Sequence, residues 1–301
     1  MVTTTVHVPS SSSSTQTDTI AVLLGFYSEL EAAKHLIHLN VVDGPTTLAE
    51  IHSIWEQTSK QVARAQRRSY SQPHIDSLPA QWQYYEQNLK KQPKFQCCLP
   101  RREYHIRKVP IQSLITPQWF VNRDHVEHCK QQAPEPEPSD WDSILNFIFP
   151  AESPLPSPKQ NQASLLFPPD IQNLHITLSP VQRGAVQEYV STLRVHAAPN
   201  YLQVAKIGGR LVLVNGVHRT CALWQRGWKK IPCLLFEAQN LLEAGFPPGQ
   251  LGVLPEQTIL HRACPPYALD LLDDTLTRSF QQHRTTNMQV CVQRMPVVVN
   301  P

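Results

Sequence analysis

Arg210-Leu211-Val212-Leu213-Val214-Asn215-Gly216-Val217-His218-Arg219-Thr220 is the stretch on which the reading of this sequence turns. Leu211 to Val214 is an apolar run of strand length, and Gly208-Gly209 ahead of it is a two-residue hairpin signal. Tyr201–Ile207 and Leu211–Val214 therefore read as the two arms of a hairpin. Gly216 reads as a sharp turn, Arg219–Arg226 as a helix, Gly227 as its C′ residue and Ile231–Phe236 as a further strand. A helix that starts directly after a strand turns its free N–H groups and positive dipole end outward, which favours an anion. Arg219 adds a planar, multidentate donor for phosphate oxygens. Thr220 adds a hydroxyl, and His218 a group that exchanges protons near neutral pH. The plainer reading is that His218 and Arg219 cap and cover the turn.

Charge and glycine both gather around this stretch. No Asp or Glu lies between Glu188 and Glu237, whereas Arg194, Lys206, Arg210, Arg219, Arg226, Lys229 and Lys230 do. All 24 acids of the chain lie outside that window, although the formal net charge is only +3. Such a segment attracts phosphates, whether on a nucleotide or on nucleic acid. The plainer reading is a solvated face whose acids lie elsewhere in sequence. Gly208, Gly209, Gly216 and Gly227 belong to a chain with only 10 glycines in 301 residues, so their grouping marks tight turns or close backbone approach.

A chain of 301 residues suggests about two domains, or one with large appendages. With 27 prolines it holds many interrupted elements, which argues against a coiled coil, a bundle or a repeat array. No apolar run is long enough to span a membrane. Met1-Val2-Thr3 and the serine tract Ser10–Ser14 read as a disordered leader, not a signal peptide. The seven cysteines are irregularly spaced without a C-x-x-C pair, so a reduced, cytoplasmic protein is expected.

Outward from the central block, helical spacing covers Ile20 to about Asn40. A second helix is expected from Thr47, with Glu50 completing a capping box, to about Arg68. Pro79–Lys91 reads as a short helix carrying Trp82, Tyr84 and Tyr85, aromatics that read as packing and not as a base-stacking platform. Arg102–Leu114 reads as a strand. A Pro/Glu/Ser/Gln-rich connection follows, broken by a docked helix at Trp141–Phe149. Ser179-Pro180 is expected to open a helix through Tyr189 to Leu193 that carries Glu188. Beyond Gln239, loops lead to a helix at Leu269–Phe280 and a final strand at Met288–Val299. Cys97-Cys98 with His105, the set His125, His128 and Cys129, and the acids Asp270, Asp273 and Asp274 are the groups with metal-ligating side chains. None has the number and spacing of a metal site, so no metal is expected.

The residues Arg210–Arg219, Cys221–Gly227 and Ile231-Pro232-Cys233-Leu234-Leu235 together resemble the ParB/sulfiredoxin superfamily. Its members show a strand, a D-G-x-H-R or G-E-R-R box, a helix ending in Gly, and a strand that opens with a Val/Ile-Pro pair. The resemblance covers about Val181 to Phe236, with Tyr104–Leu114 as its first strand. It implies a box that binds nucleotide phosphates. Val217 stands where sulfiredoxins carry their cysteine, and no helix-turn-helix pattern follows Phe236, so neither a sulfiredoxin nor a partition protein is expected. Asn215 stands where the family's free-serine kinases carry Asp.

The expected fold is α+β, a ParB/sulfiredoxin-like domain with an N-terminal helical region and a C-terminal extension. Its spans are a leader at 1–18, a helical region at 19–95, the domain's first strand and helix at 96–130, a Pro-rich insertion at 131–170, the core at 171–238 and an extension at 239–301. The expected function is binding of a nucleotide, ATP or CTP with Mg²⁺, by Asn215, Gly216, His218, Arg219 and Thr220. Phosphoryl transfer or hydrolysis would call on His218 and on Glu188 as base. The alternative is a DNA-binding or regulatory module that uses the basic segment without catalysis. Oligomeric state is left open.

Overall fold

The computed structural model describes residues 4–5, 17–150 apart from 40, 43, 46, 66, 67, 100, 101 and 137–140, the strand residues 159–161, 164–167, 174–183 and 188–197, residues 200–283 apart from 251, and 288–292. The chain divides into two units. A core unit holds Thr17–Ala151 and Asn200–His283, and a second holds Met1–Gln16, Glu152–Pro199 and Arg284–Pro301.

Within the core unit the strands are β1 (Thr17–Val22), β2 (His105–Pro110), β3 (Leu114–Ile115), β4 (Phe120–Asn122), β5 (Gln203–Ile207), β6 (Arg210–Asn215), β7 (Lys230–Glu237) and β8 (Arg278–His283). The helices are α1 (Glu29–His38), α2 (Leu48–Arg64), α3 (Gln81–Lys91), α4 (Pro93–Cys98), α5 (Arg123–Gln132), α6 (Trp141–Ile148), α7 (Val217–Gln225) and α8 (Leu241–Ala244). The fold is mixed α+β.

The larger sheet has five strands in the order β2-β7-β5-β6-β3, and a smaller one has the order β8-β1-β4. The hairpin β5–β6 forms as the sequence indicates. Gly208 and Gly209 both take positive φ, 53° and 84°, which the two-residue turn requires. Its register sets Val204 against Leu213 and Ile207 against Arg210. β7 runs parallel to β5 and antiparallel to β2, and β3 runs parallel to β6. Val204, Ala205, Leu211, Val212, Ile231, Cys233 and Leu234 are fully buried. Helices cover such strands, so the strands read as near-continuous apolar runs.

Several elements differ from the sequence reading. The helix expected from Ile20 begins only at Glu29. Ile20 to Leu24 is an unbroken apolar run with no polar face to give a helix, and it is wholly buried as strand β1 and its exit. A 3-10 turn at Leu24–Phe26 and a capping box of Ser28 with Glu31 then start α1. The boxed helix α2 forms as expected, with Thr47 and Glu50 in their reciprocal roles. The strand expected at Arg102–Leu114 is interrupted by a 3-10 turn at Ile111–Ser113. The helix expected at Leu269–Phe280 is a 3-10 turn, Ala268–Leu272, followed by β8. Asp273 ends that turn by accepting from the backbone N–H of Thr275 at 2.8 Å, a local bond that competes with helix continuation.

In the second unit, the helix expected at 180–193 is an antiparallel strand pair, Leu174–Arg183 with Glu188–Ala197. Tyr189, Leu193 and Val195 alternate with polar Thr192, Arg194 and His196, a period of two that β-rich residues reinforce. That unit's other strands are Thr4–Thr5, Met288–Val292, Ser164–Phe167 and Lys159–Asn161, in that spatial order. Most of the leader, the loops of the Pro-rich connection and residues 293–299 of the expected last strand lie outside the described residues.

Candidate anion-binding site

β6 delivers the chain to Asn215, and Gly216 turns it into α7. Gly216 has φ 98° and ψ 27°, a left-handed conformation, and no side chain caps the helix. A Cβ at this position would lie 3.0 Å from Leu202 Cγ, so space and backbone both demand glycine. The first bond of the helix runs from Thr220 N–H to Gly216 O at 2.9 Å. The N–H groups of Val217, His218 and Arg219 precede it and form the open first turn. α7 starts two residues earlier than the sequence suggests, which places His218 and Arg219 within that turn.

The side chains are arranged less simply than a box open to solvent. Arg219 is buried, 7% exposed. Its Nη1 donates to Phe147 O at 3.2 Å and Ile148 O at 2.8 Å, the carbonyls at the C-terminal end of α6. Its Nη2 donates to Asn200 Oδ1 at 3.0 Å, and Asn215 Nδ2 donates to the same oxygen at 3.3 Å. Burial pushes the guanidinium down to about 10, which leaves it charged at neutral pH. Thr220 is fully buried, and its hydroxyl has no hydrogen-bond partner among the described residues.

His218 faces the other way, toward α5. Its Nε2 accepts the backbone N–H of Asn122 at 3.2 Å, and its ring meets that of His125 edge-on at 4.7 Å. Burial, then the neighbouring His125 and Arg219, push His218 down to about 3, so the ring is neutral at physiological pH. Asn122 is itself the N-cap of α5, its Oδ1 accepting from His125 N–H at 2.9 Å, while its Nδ2 donates to Asp18 at 2.9 Å. His125 is lowered as well, by burial first and then by His128 and Arg219, with Asp18 opposing. Cys129 Sγ lies 3.7 Å from His125 Nε2, and burial raises its thiol.

Among the described residues, no three His, Cys, Asp or Glu converge as metal ligands. Asp270 caps its own turn by accepting from Tyr267 N–H, Asp274 pairs with Arg123, and His105 pairs with Glu103 and Glu86. The side chains of Cys97 and Cys98 lie outside the described residues. Trp82 is buried edge-on against Trp141 at 4.5 Å, as packing requires, and Tyr84 alone of the three aromatics is well exposed. Glu188 opens a strand of the second unit, and its side chain lies outside the described residues.

Three of the seven cations of the basic window pair with acids that lie outside it in sequence. Lys206 pairs with Glu237 at 2.9 Å, Arg226 with Glu135 at 2.7 Å and Lys230 with Asp76 at 2.7 Å. Arg210 donates to the carbonyls of Ile259 and Arg262 and lies over Tyr70, while Lys229 lies 4.0 Å over the ring of Trp224. The Arg194 side chain lies outside the described residues. Two residues that shape the site, Asn122 and Asn200, were not singled out from the sequence. Each is an ordinary asparagine just ahead of a regular element, with nothing local to mark its role.

Among the described residues no helix is long and apolar enough to cross a membrane. No family model, curated protein or solved structure matches this chain.

Proposed function

We propose that the block from β5 to β7, the part of the expected 171–238 core that lies in the core unit, belongs to a ParB/sulfiredoxin-like domain and seats the phosphates of a nucleotide, ATP or CTP with Mg²⁺, at the turn between β6 and α7. The observation that carries this reading is the start of α7. A left-handed glycine opens an uncapped helix N-terminus, with a charged Arg219 Nη2 and an Asn215 amide donating beside it. Gly216 and the first-turn N–H groups would line the phosphates, and Arg219 would supply the charge. The α6 carbonyls hold Arg219 in place in advance.

The arrangement favours binding over turnover. A neutral His218 whose Nε2 already accepts a backbone N–H has no proton to give from that nitrogen. Glu188, the base expected from the sequence, lies on a strand of the second unit. Three of the window's seven cations are paired with acids and the Arg210 and Arg219 guanidiniums are held by carbonyls, which favours a compact nucleotide over the extended phosphate track of DNA. Cys129, Cys221 and Cys233 are buried within the core unit, and the cytoplasmic setting we propose rests on the irregular cysteine spacing of the sequence.

The test is calorimetric titration of the full chain with ATP, CTP, GTP and ADP in Mg²⁺. The expected result is micromolar affinity for at least one, weakened several-fold in Asn215→Ala. Binding that ignores Asn215→Ala would place the ligand elsewhere. Steeply salt-dependent DNA binding without any nucleotide response would overturn the reading in favour of the DNA-binding alternative.

A further inference from the structure

Three linked arginines of the core unit each lie over an aromatic ring. Arg68 Cζ is 5.3 Å from the ring centroid of Tyr267, Arg210 Cζ is 5.0 Å from that of Tyr70, and Arg262 Cζ is 5.5 Å from that of Phe26. Hydrogen bonds join the three pairs into one face. Tyr267 Oη donates to Arg68 O at 3.1 Å, Tyr70 N–H to Ala263 O at 2.8 Å and Arg210 Nη2 to Arg262 O at 2.9 Å. Tyr267 and Phe26 are buried, whereas Arg68 and Arg262 are exposed and Arg210 is half-buried, so the guanidiniums form the outer layer. The acids of the adjoining segments are Glu256, which is exposed, and Asp270, which caps its own turn. Among the described residues, no carboxylate forms an ion pair with Arg68 or Arg210.

We infer that this arginine face binds single-stranded nucleic acid, with bases stacked on the guanidinium planes and phosphates held by their charge. Carbonyls of the protein already occupy N–H groups of two of the three. Arg68 Nη2 donates to Gln112 O, and Arg210 Nη1 donates to Ile259 O at 3.2 Å. What they turn outward is charge and a flat face, more than the open fork that grips a carboxylate. Unpaired bases stack on guanidinium planes, whereas the bases of a duplex are stacked on one another. That combination favours an unpaired strand over a duplex or an acidic peptide. Arg210 opens β6 and Asn215 ends it, so this face and the α7 turn lie at opposite ends of that strand. The inference therefore stands apart from the nucleotide reading of the turn.

The test is fluorescence anisotropy of the full chain with labelled oligouridylate and oligothymidylate of about 12 nucleotides, beside a DNA duplex of the same length. Salt is varied between about 50 and 200 mM. Micromolar binding of either single strand is expected, with the duplex several-fold weaker; the tighter of the two strands tells RNA from DNA. Arg68→Lys and Arg262→Lys keep the charge and lose the plane. Each should weaken single-strand binding about fivefold or more while leaving the salt slope unchanged. Arg262→Gln removes the charge as well and should lower that slope by about 0.7. Absence of single-strand binding at the lower salt overturns the inference. So do a duplex bound as tightly as the single strands, lysine variants that bind like the wild type, and an oligoglutamate peptide that binds more tightly than either strand. Far-UV circular dichroism checks the fold. Arg68 and Arg262 both lie outside the strands, and if one variant fails to fold the other decides.

Discussion

Replacing Arg219 with alanine should destabilise the core unit by about 3–5 kcal/mol. The guanidinium donates at 3.2, 2.8 and 3.0 Å to Phe147 O, Ile148 O and Asn200 Oδ1. A hydrogen bond from a charged group contributes about 1.5–3 kcal/mol, so three would sum to about 5–9 kcal/mol if they were additive. Desolvation of the charge opposes that sum, as the lowering of the guanidinium to about 10 indicates. Viewed from the acceptors, Phe147 O loses its arginine donor, at about 1–3 kcal/mol where it stays buried, while Ile148 O keeps the backbone N–H of Leu202 at 3.2 Å. The donor route discounted for desolvation gives about 3–5 kcal/mol, the range found when one partner of a buried charged contact is removed, and the single orphaned carbonyl sets the lower bound. In a unit of this size each kcal/mol lowers Tm by about 2–4 °C, so the fall should be about 6–20 °C. Urea denaturation followed by far-UV circular dichroism and tryptophan fluorescence gives the free energy. Arg219→Lys, which keeps the charge but cannot fork to three acceptors, should fall between the two. A loss under about 1 kcal/mol together with abolished nucleotide binding would refute the reasoning, because the arginine would then serve a ligand and not α6.

Two further outcomes follow from the same site. Thr220→Val removes a buried hydroxyl that has no partner among the described residues and keeps the shape, so it should raise stability by about 1 kcal/mol in a thermal or urea melt. A comparable loss would mean that the hydroxyl is bonded in solution. Stability should also decline with acid through His218. Its pKa is about 3 when folded and about 6.5 when unfolded, so below pH 6.5 the unfolded chain takes up the proton first. This contribution is intact above pH 6.5 and is lost as pH falls toward 3, amounting to about 2 kcal/mol by pH 5. His218→Gln, whose amide oxygen can accept from Asn122 N–H, should flatten that part of the profile when urea midpoints at pH 7.5 and pH 5 are compared. An unchanged slope would show that the ring titrates normally.

The part of the fold legible in the sequence is the part written in local chemistry. Gly208-Gly209, Gly216 and Gly227 take the positive φ values their turns need, and Thr47 with Glu50 caps α2. Where a segment was apolar throughout, as at Ile20–Leu24, periodicity had no polar face to measure, and strand was mistaken for helix. The hairpin of 174–197 was missed because helical spacing from Val186 to Leu193 was given more weight than the alternation after Tyr189. The sharp turn at Gly216 forms where the sequence indicates it, but α7 starts at Val217, two residues ahead of the expected Arg219. The sequence could not show where the side chains point. His218 meets Asn122 from 96 positions away and Arg219 meets Ile148 from 71, contacts that only the packing of α5 and α6 against α7 creates. The basicity of 189–236 is offset only in part in space, where Asp76, Glu135 and Glu237 pair with three of its seven cations.

The smaller sheet also constrains how the chain can be made. β1 is its middle strand, flanked by β4 and β8, and Thr19 meets Gln281 across 262 positions. A ribosome adding about 5–20 residues per second leaves roughly 13–50 s between the emergence of β1 and that of β8. During that interval β4 can cover one side of Ile20, Ala21 and Val22, while the other edge of the nascent chain stays bare and adhesive. Production of this protein should therefore depend on whatever shields that edge during translation, and slow synthesis at low temperature should lengthen the exposure even as it weakens hydrophobic aggregation.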